Sequence, residues 1–180
     1  MPEYKFRRKA LTSQEEVGRM IESMPEWARS LTAFLYLFGC RVSEALQLTR
    51  EDFEITDTVI RVTIPLLKKR DNNGPYQPVH IVEVRRSAPF MNIVEERIRS
   101  AKPGTKLWPR TRQRVWQVLK KSKQDISPHV FRHDRISKLS LAGADGHALM
   151  EWAGWADLRP AAKYLHTSGR KAAEFADKVQ

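Results

Sequence analysis

Two residues that could together bind a phosphate, His129 and Arg132, lie three positions apart, just after Pro128. Proline is well suited to the first turn of a helix, and side chains three positions apart then share one helix face. A guanidinium offers paired donors to phosphate oxygens, and an imidazole can move a proton near neutral pH. The spacing therefore fits a phosphate site, although a solvated basic helix explains it equally well.

A second arginine, Arg41, interrupts the most apolar part of the chain, between Leu37 and Leu46. Burial of an unpaired guanidinium is costly, so this side chain must meet a carboxylate or face a ligand. Glu44 follows three residues later and would share its helix face. A structural ion pair and an anion-binding role both fit this pattern, and the two are compatible.

Further residues suited to proton transfer or nucleophilic attack lie elsewhere in the chain. Lys68 and Lys69 end a predicted strand, and a lysine at a hairpin tip can reach over a bound substrate and donate a proton. Tyr164 lies nine positions after Trp155. A tip lysine is usually solvated and a lone tyrosine usually packs in a core, so neither is informative by itself.

Charge and cysteine content narrow the class of partner and compartment. The chain has 180 residues and a formal net charge of +11, with a pI near 10.0. This excess of positive charge indicates a polyanionic partner, with nucleic acid favoured over an anionic membrane surface. The alternative is a highly soluble basic enzyme whose charge serves no such partner. The single cysteine, Cys40, cannot build a disulfide framework or a cysteine metal site. Without an apolar leader or an apolar run of about 18 residues, the sequence predicts a cytoplasmic protein.

The elements that must position these residues are mostly helical in pattern. Thr12 and Glu15 form a capping-box signature that predicts the start of the first helix. Apolar spacing predicts helices over 27–38, 90–101 and 111–121, followed by three or four shorter helical segments to the C-terminus.

One region has a strand pattern instead. Residues 58–67 and 77–84 are rich in β-branched or alternating apolar positions, and the turn residues 71–74 separate them. Pro75 and Pro78 cannot donate ladder hydrogen bonds, which predicts that the returning strand lies at an edge or pairs only beyond these prolines. The sequence therefore predicts one mainly helical α+β domain with a small antiparallel sheet.

In chain order, these pieces resemble the tyrosine recombinase, or phage integrase, family. Residues 39–46 resemble its first arginine box, and 64–68 are similar to the strand that presents its lysine. Residues 127–133 resemble its His-x-x-Arg box, while 153–155, followed by Tyr164, resemble its last box. The similarity extends from about Leu11 to the end of the chain.

The resemblance implies a catalytic domain of the DNA breaking-rejoining type over 11–180, with 1–10 as a basic lead-in or interdomain linker. Most relatives carry an additional N-terminal DNA-clamping domain, so we expect this sequence to correspond to the C-terminal domain alone. The position of Trp155 is histidine in most relatives and tryptophan in some. Lys68 is preferred to Lys69 as the family lysine because it follows Ile64 by the family interval.

The implied reaction is transesterification at a DNA phosphodiester. The Tyr164 hydroxyl would attack phosphorus to form a 3′-phosphotyrosyl bond, and a 5′-hydroxyl would leave. By the resemblance, Arg41 and Arg132 would hold the non-bridging oxygens, and Trp155 Nε1 would donate a further hydrogen bond. No metal, ATP or other cofactor is implied.

Proton transfer and support fall to the remaining residues of the pattern. Tyrosine has an unperturbed pKa of about 10, so its proton must be removed during attack, for which His129 is the candidate general base. Lys68 would protonate the departing 5′ oxygen, with Lys69 as its alternative. Glu44 would orient Arg41 and not touch DNA.

The implied partner is double-stranded DNA, bound as a homotetramer in the full-length protein. Basic residues on and beside the helix at 111–121 form the predicted DNA-binding surface, which would contact phosphates with little sequence selectivity. Its members are Arg110, Arg112, Arg114, Lys120, Lys121 and Lys123. Residues 168–180 form a predicted helical tail that could pack on its own domain or on a neighbouring subunit.

Two rival functions remain at this level. A catalytically silent DNA-binding protein of the same fold would bind DNA in a salt-sensitive manner without forming an adduct. A type IB topoisomerase would use similar chemistry but relax supercoils alone. The sequence leaves the target site open, as well as the choice among viral genome integration, excision and dimer resolution.

Overall fold

The computed structural model describes residues 13–67, 78–122 and 126–165. These residues form seven α-helices, two 3₁₀ helices and one three-stranded antiparallel sheet, which confirms the predicted mainly helical α+β class. The elements in chain order are α1 (Gln14–Glu22), α2 (Glu26–Phe38), α3 (Val42–Ala45), η1 (Arg50–Asp52), β1 (Phe53–Ile55), β2 (Val59–Pro65), β3 (Val79–Arg85), α4 (Met91–Ser100), α5 (Arg112–Lys121), α6 (Pro128–Leu141), α7 (Gly146–Ala153) and η2 (Ala161–Lys163).

The first helix begins one residue later than the sequence predicted. Ser13 is its N-cap and accepts a hydrogen bond from the Glu16 amide at 3.1 Å, while the Glu16 carboxylate accepts from the Ser13 amide at 2.8 Å. The predicted box at Thr12 and Glu15 was therefore wrong by one position. Both frames carry the same Thr/Ser-x-x-Glu signature, so the sequence alone could not separate them.

Helix α2 runs through the centre of the core, as its nearly continuous apolar sequence predicted. Phe34 and Phe38 stack with ring centroids 4.6 Å apart, and Trp108 packs 5.0 Å from Phe34. All three rings are fully buried. The Trp108 indole donates to Ser30 Oγ at 3.0 Å, which satisfies the polar atom of an otherwise apolar cluster.

The sheet has the order β1-β2-β3, so the returning strand β3 lies at an edge, as Pro78 predicted. In the β2–β3 register, Ile64 pairs with His80 and Ile60 with Val84. Alternate side chains of both strands are buried, including His80. Strand β1 was not predicted because three residues are too few to show alternation. The predicted hairpin turn, residues 71–74, lies outside the described residues.

The C-terminal half confirms the helices predicted over 90–101 and 111–121. Its third helix, α6, has 14 residues and is longer than the short segments that the sequence predicted there. Pro128 occupies its first turn, and its buried side packs against α2 and α7. No helix in the part of the chain that the structure describes is long and apolar enough to cross a membrane.

Candidate active site

The buried guanidinium of Arg132 is the centre of the candidate site. Its side chain is 6% exposed, and its two terminal nitrogens donate to the carbonyl oxygens of Gly39, at 3.1 Å, and Ala153, at 2.6 Å. Gly39 is the C-cap of α2, and Ala153 is the last residue of α7. Arg132 therefore ties the ends of two helices to α6, and these bonds hold the guanidinium in one orientation.

Arg41 lies beside Arg132 and is paired with Glu44, as its spacing predicted. The Glu44 carboxylate accepts from Arg41 Nη1 at 2.6 Å and from the Arg41 amide at 2.8 Å. Glu44 is 1% exposed whereas the Arg41 side chain is 20% exposed. The pKa of Arg132 is lowered by burial first and then by the positive charge of Arg41. The two arginines thus share one region of positive potential, with Arg41 at its accessible side.

Trp155 and Tyr164 complete this cluster. Their rings stack with centroids 5.8 Å apart and an interplanar angle of 24°, and the Arg132 guanidinium lies 5.9 Å from the centroid of the Trp155 ring. Burial raises the pKa of Tyr164, and the nearby charge of Arg132 opposes that rise. The structure therefore brings together four residues that the sequence pattern had singled out: Arg41, Arg132, Trp155 and Tyr164.

A histidine that sequence reasoning passed over makes the direct contact with the tyrosine hydroxyl. His133 Nδ1 and Tyr164 Oη are hydrogen-bonded, and the two rings are 5.9 Å apart. Burial, followed by the charges of His129 and Arg132, lowers the pKa of His133. The available signal was the position of His133, four residues after His129 and hence on the same face of α6.

Of the remaining predicted catalytic residues, the structure describes His129. His129 is exposed in the first turn of α6. Lys68 and Lys69 lie outside the described residues, which end on this side of the hairpin at Leu67. Their proposed role as proton donors stays a prediction.

The base of the hairpin packs directly under the turn that presents Trp155. Gly154 is the C-cap of α7 and has a φ of 61°, a conformation that favours glycine. A Cβ at this position would lie 2.6 Å from Leu66 Cδ2 and 2.7 Å from His80 Nδ1. Any larger residue would require these side chains to shift, so the Gly154 turn packs closely on Leu66, just after β2, and on His80 of β3.

His80 is a buried imidazole beneath that turn. It is 9% exposed, and neither ring nitrogen has a partner of hydrogen-bond geometry among the described residues, although the Ile64 backbone lies near enough to favour its charged form. Burial lowers the pKa of His80 to about 4, Glu44 opposes this shift, and Arg132 and Arg41 add to it. The imidazole is therefore neutral at neutral pH.

This buried histidine predicts an acid-sensitive fold. A folded-state pKa of about 4 lies below the unfolded value, so His80 stabilises the protein above about pH 6.5 and the contribution is lost as pH falls towards 4. We expect wild type to lose on the order of 3 kcal/mol of unfolding free energy through this group between pH 7 and 4. Urea denaturation at both pH values should show a smaller loss for His80→Leu. The exposed His147, replaced by Leu, is the control, and an equal loss in all three proteins would contradict the prediction.

The predicted DNA-binding surface is exposed where the structure describes it. Arg110, Arg112, Arg114, Lys120 and Lys121 are exposed, whereas Lys123 lies outside the described residues. Lys120 Nζ lies 3.9 Å from the centroid of the Trp116 ring, which is itself 44% exposed. This face of α5 combines cations with an exposed aromatic ring.

Two observations bear on other chemistries. Cys40 is buried and its pKa is raised, chiefly by desolvation, so it does not form a thiolate nucleophile at neutral pH. Across 13–67, 78–122 and 126–165, no three His, Cys, Asp or Glu side chains cluster as candidate metal ligands. The metal-free reaction nevertheless stays a prediction.

Solved structures with the same fold include two recombinase complexes. The XerH site-specific recombinase bound to its difH substrate in a pre-cleavage complex superposes with a TM-score of 0.62 and 19% identity, over 90% of this chain and 51% of that chain. The Tn1549 transposon integrase in complex with transposon right end DNA gives a TM-score of 0.67 at 18% identity, over 99% of this chain and 68% of that chain.

Sequence comparison identifies the family. The tyrosine recombinase XerC of Rhizobium meliloti (strain 1021) is 30% identical, over 95% of this chain and 58% of that protein. The tyrosine recombinase XerD of Oceanobacillus iheyensis is 28% identical, over 88% of this chain and 58% of that protein. The chain thus spans a little over half the length of these relatives. The phage integrase family model matches residues 10–170, so the chain belongs to the phage integrase family, that of the tyrosine recombinases.

Proposed function

We propose that this chain is the catalytic domain of a site-specific DNA recombinase, which cleaves and rejoins double-stranded DNA through a 3′-phosphotyrosyl bond to Tyr164. The observation that carries the proposal is the cluster in which Trp155 stacks on the ring of that tyrosine and Arg132, with the charge of Arg41 near it, lies close to both rings. The tyrosine recombinases among its relatives, and the DNA-bound structures that share its fold, support this substrate class.

The two arginines would stabilise the charge that develops at phosphorus. A guanidinium carries five N–H donors, and the bonds of Arg132 to the Gly39 and Ala153 carbonyls hold its orientation, so donors remain for a phosphate oxygen. Glu44 holds Arg41 in the same way through Nη1. Donors oriented before the substrate arrives need little reorganisation during the reaction, which is how such groups lower a barrier.

Trp155 and the hairpin lysine would assist the two arginines in this reaction. The stacked indole holds the tyrosine ring, and its Nε1 would donate to a phosphate oxygen. Lys68, or Lys69 in its place, would protonate the leaving 5′ oxygen. His129, exposed in the first turn of α6, is one of two histidines on that helix face that could move a proton.

The same proposal also covers DNA binding, domain organisation and the need for cofactors. The exposed cations of α5 would bind DNA phosphates, giving affinity that falls steeply with salt. Residues 11–180 would form the catalytic domain and 1–10 a basic lead-in, with an N-terminal clamping domain and a homotetramer on DNA in the full-length protein. No metal or ATP would be needed, because the phosphotyrosyl bond keeps the energy of the broken phosphodiester.

A covalent trap tests the proposal. The chain is incubated in EDTA with a pool of nicked suicide duplexes, and adducts are isolated on a denaturing gel and digested for mass spectrometry. The expected result is a nucleotide-modified peptide that carries the modification on Tyr164. DNA binding across the pool without an adduct would favour the silent DNA-binding protein, and relaxation of supercoiled plasmid by the chain alone would favour the topoisomerase.

A further inference from the structure

The Tyr164 ring packs against Trp155 and His133, and its hydroxyl is hydrogen-bonded. Trp155 and His133 each stack near the ring, with centroids 5.8 and 5.9 Å away, and the hydroxyl bonds to His133 Nδ1. Ser140 Oγ donates to the Tyr164 carbonyl at 2.5 Å and fixes the backbone. The proposed nucleophile therefore points its reacting atom at an imidazole nitrogen and not into open solvent.

The protonation states of the two groups are complementary. Burial raises the pKa of Tyr164, so the phenol keeps its proton at neutral pH and donates it in the hydrogen bond. Burial lowers the pKa of His133, and the neighbouring His129, Arg132 and Lys163 add to this effect. The imidazole is thus neutral, with a lone pair on Nδ1 towards the phenol and its proton on Nε2.

We infer that His133 is a catalytic residue, the base that accepts the Tyr164 proton during DNA cleavage. This inference rests on the proposed function and deepens it. As the bond between Tyr164 Oη and phosphorus forms, the phenolic proton moves to His133 Nδ1. The bond between phosphorus and the 5′ oxygen breaks, and that oxygen takes its proton from a separate acid. Rejoining reverses the transfer, because the imidazolium returns its proton to the departing phenol.

The position of His133 favours it over His129 for this step. Both histidines lie on one face of α6, and His133 Nδ1 is hydrogen-bonded to the reacting oxygen. A base must lie within hydrogen-bond reach of the proton that it removes. His129 lies one turn further towards the exposed start of the helix, where the DNA phosphate would approach.

Cleavage rates on the suicide duplex separate the two histidines. Glutamine can accept a hydrogen bond but cannot take up a proton, so we expect His133→Gln to slow cleavage about 100-fold. The rate of this variant should then rise with pH as solvent ionises the phenol. The matched control is His147→Gln on α7, an exposed position outside the cluster, which should cleave at the wild-type rate. His133→Gln cleavage at the control rate would overturn the inference.

A more acidic nucleophile tests the role of base directly. With 2,3-difluorotyrosine at position 164, the phenol ionises more easily, and a missing base matters less. We expect this substitution to restore most of the cleavage rate of His133→Gln and to leave cleavage by His129→Gln slow. If His133 had a purely structural role, its variant would show no such restoration. If the fluorinated tyrosine restored the cleavage rate of His129→Gln and not that of His133→Gln, the assignment of His133 as the base would be overturned.

The contact itself can be measured without cleavage. A donor hydrogen bond from Tyr164 favours neutral His133, so Tyr164→Phe should raise the pKa of His133 in an NMR titration. An unchanged pKa of His133 would mean that Tyr164 does not donate to it, and this would overturn the inference. Absence of any wild-type adduct would overturn the proposed function together with it, while a wild-type adduct that does not depend on His133 would overturn the inference alone.

Discussion

Replacement of Tyr164 with phenylalanine is expected to abolish the covalent adduct while the protein still folds and binds DNA. The phenylalanine ring can keep the stacking on Trp155, so the packing of the site survives. The lost hydrogen bond to His133 should change stability by only about 1 kcal/mol. The phenolic oxygen is the atom that would bond to phosphorus, and no other atom of the side chain can replace it.

The measurement compares adduct yield with salt-dependent DNA binding for the same preparation. Tyr36→Phe is the matched control, because Tyr36 lies on α2, packed near Phe90 and under Lys138, outside the candidate site. This control should form adduct as wild type does. An adduct of wild-type yield with Tyr164→Phe would place the nucleophile elsewhere and remove the central element of the proposed function.

Replacement of Arg132 with lysine should lower the cleavage rate by about 10²–10³-fold, although the positive charge is kept. Lysine has one ammonium group and no planar fork. It cannot bond the Gly39 and Ala153 carbonyls and also present donors to a phosphate. Stability should fall by about 1–2 kcal/mol because at least one buried carbonyl loses its partner. Single-turnover cleavage and urea denaturation measure the two effects.

Arg135→Lys separates catalysis from stability in this experiment. Arg135 lies on the same helix three residues later, partly buried, with its guanidinium 5.0 Å from the centroid of the Trp152 ring. Its replacement should cost similar stability through lost packing but leave the cleavage rate near that of wild type. If both lysine variants cleave equally slowly, the loss reflects the integrity of α6 and not transition-state binding by Arg132.

Local patterns in the sequence were sufficient for much of the framework. Apolar spacing located α2, α4 and α5, and Pro128 marked the first turn of α6. The spacing predicted the Arg41–Glu44 pair, which forms at the start of α3, with Arg41 as the N-cap and Glu44 in the first turn. The order of the boxes also carried the family resemblance, which the comparisons confirm.

Other local features were ambiguous or too short to read. Ser13 and Thr12 offer equivalent capping frames, and the choice between them was wrong. Strand β1 is only three residues long, and its pairing with β2 depends on the neighbouring strand, not on its own sequence. The prediction that Lys68 acts as proton donor stays a prediction, since that residue lies outside the described part of the chain.

The sequence by itself determined the helical framework, the charge and the residue types from which a phosphate site can be built. Only the tertiary structure decided which of them meet. Arg132 reaches Gly39 across 93 positions of sequence, and the Tyr164 hydroxyl is hydrogen-bonded to His133, 31 positions away. Local propensity acts over one or two turns of chain, whereas these contacts depend on how α6 packs against α2 and α7. That packing arises from the burial of side chains distributed over the whole core.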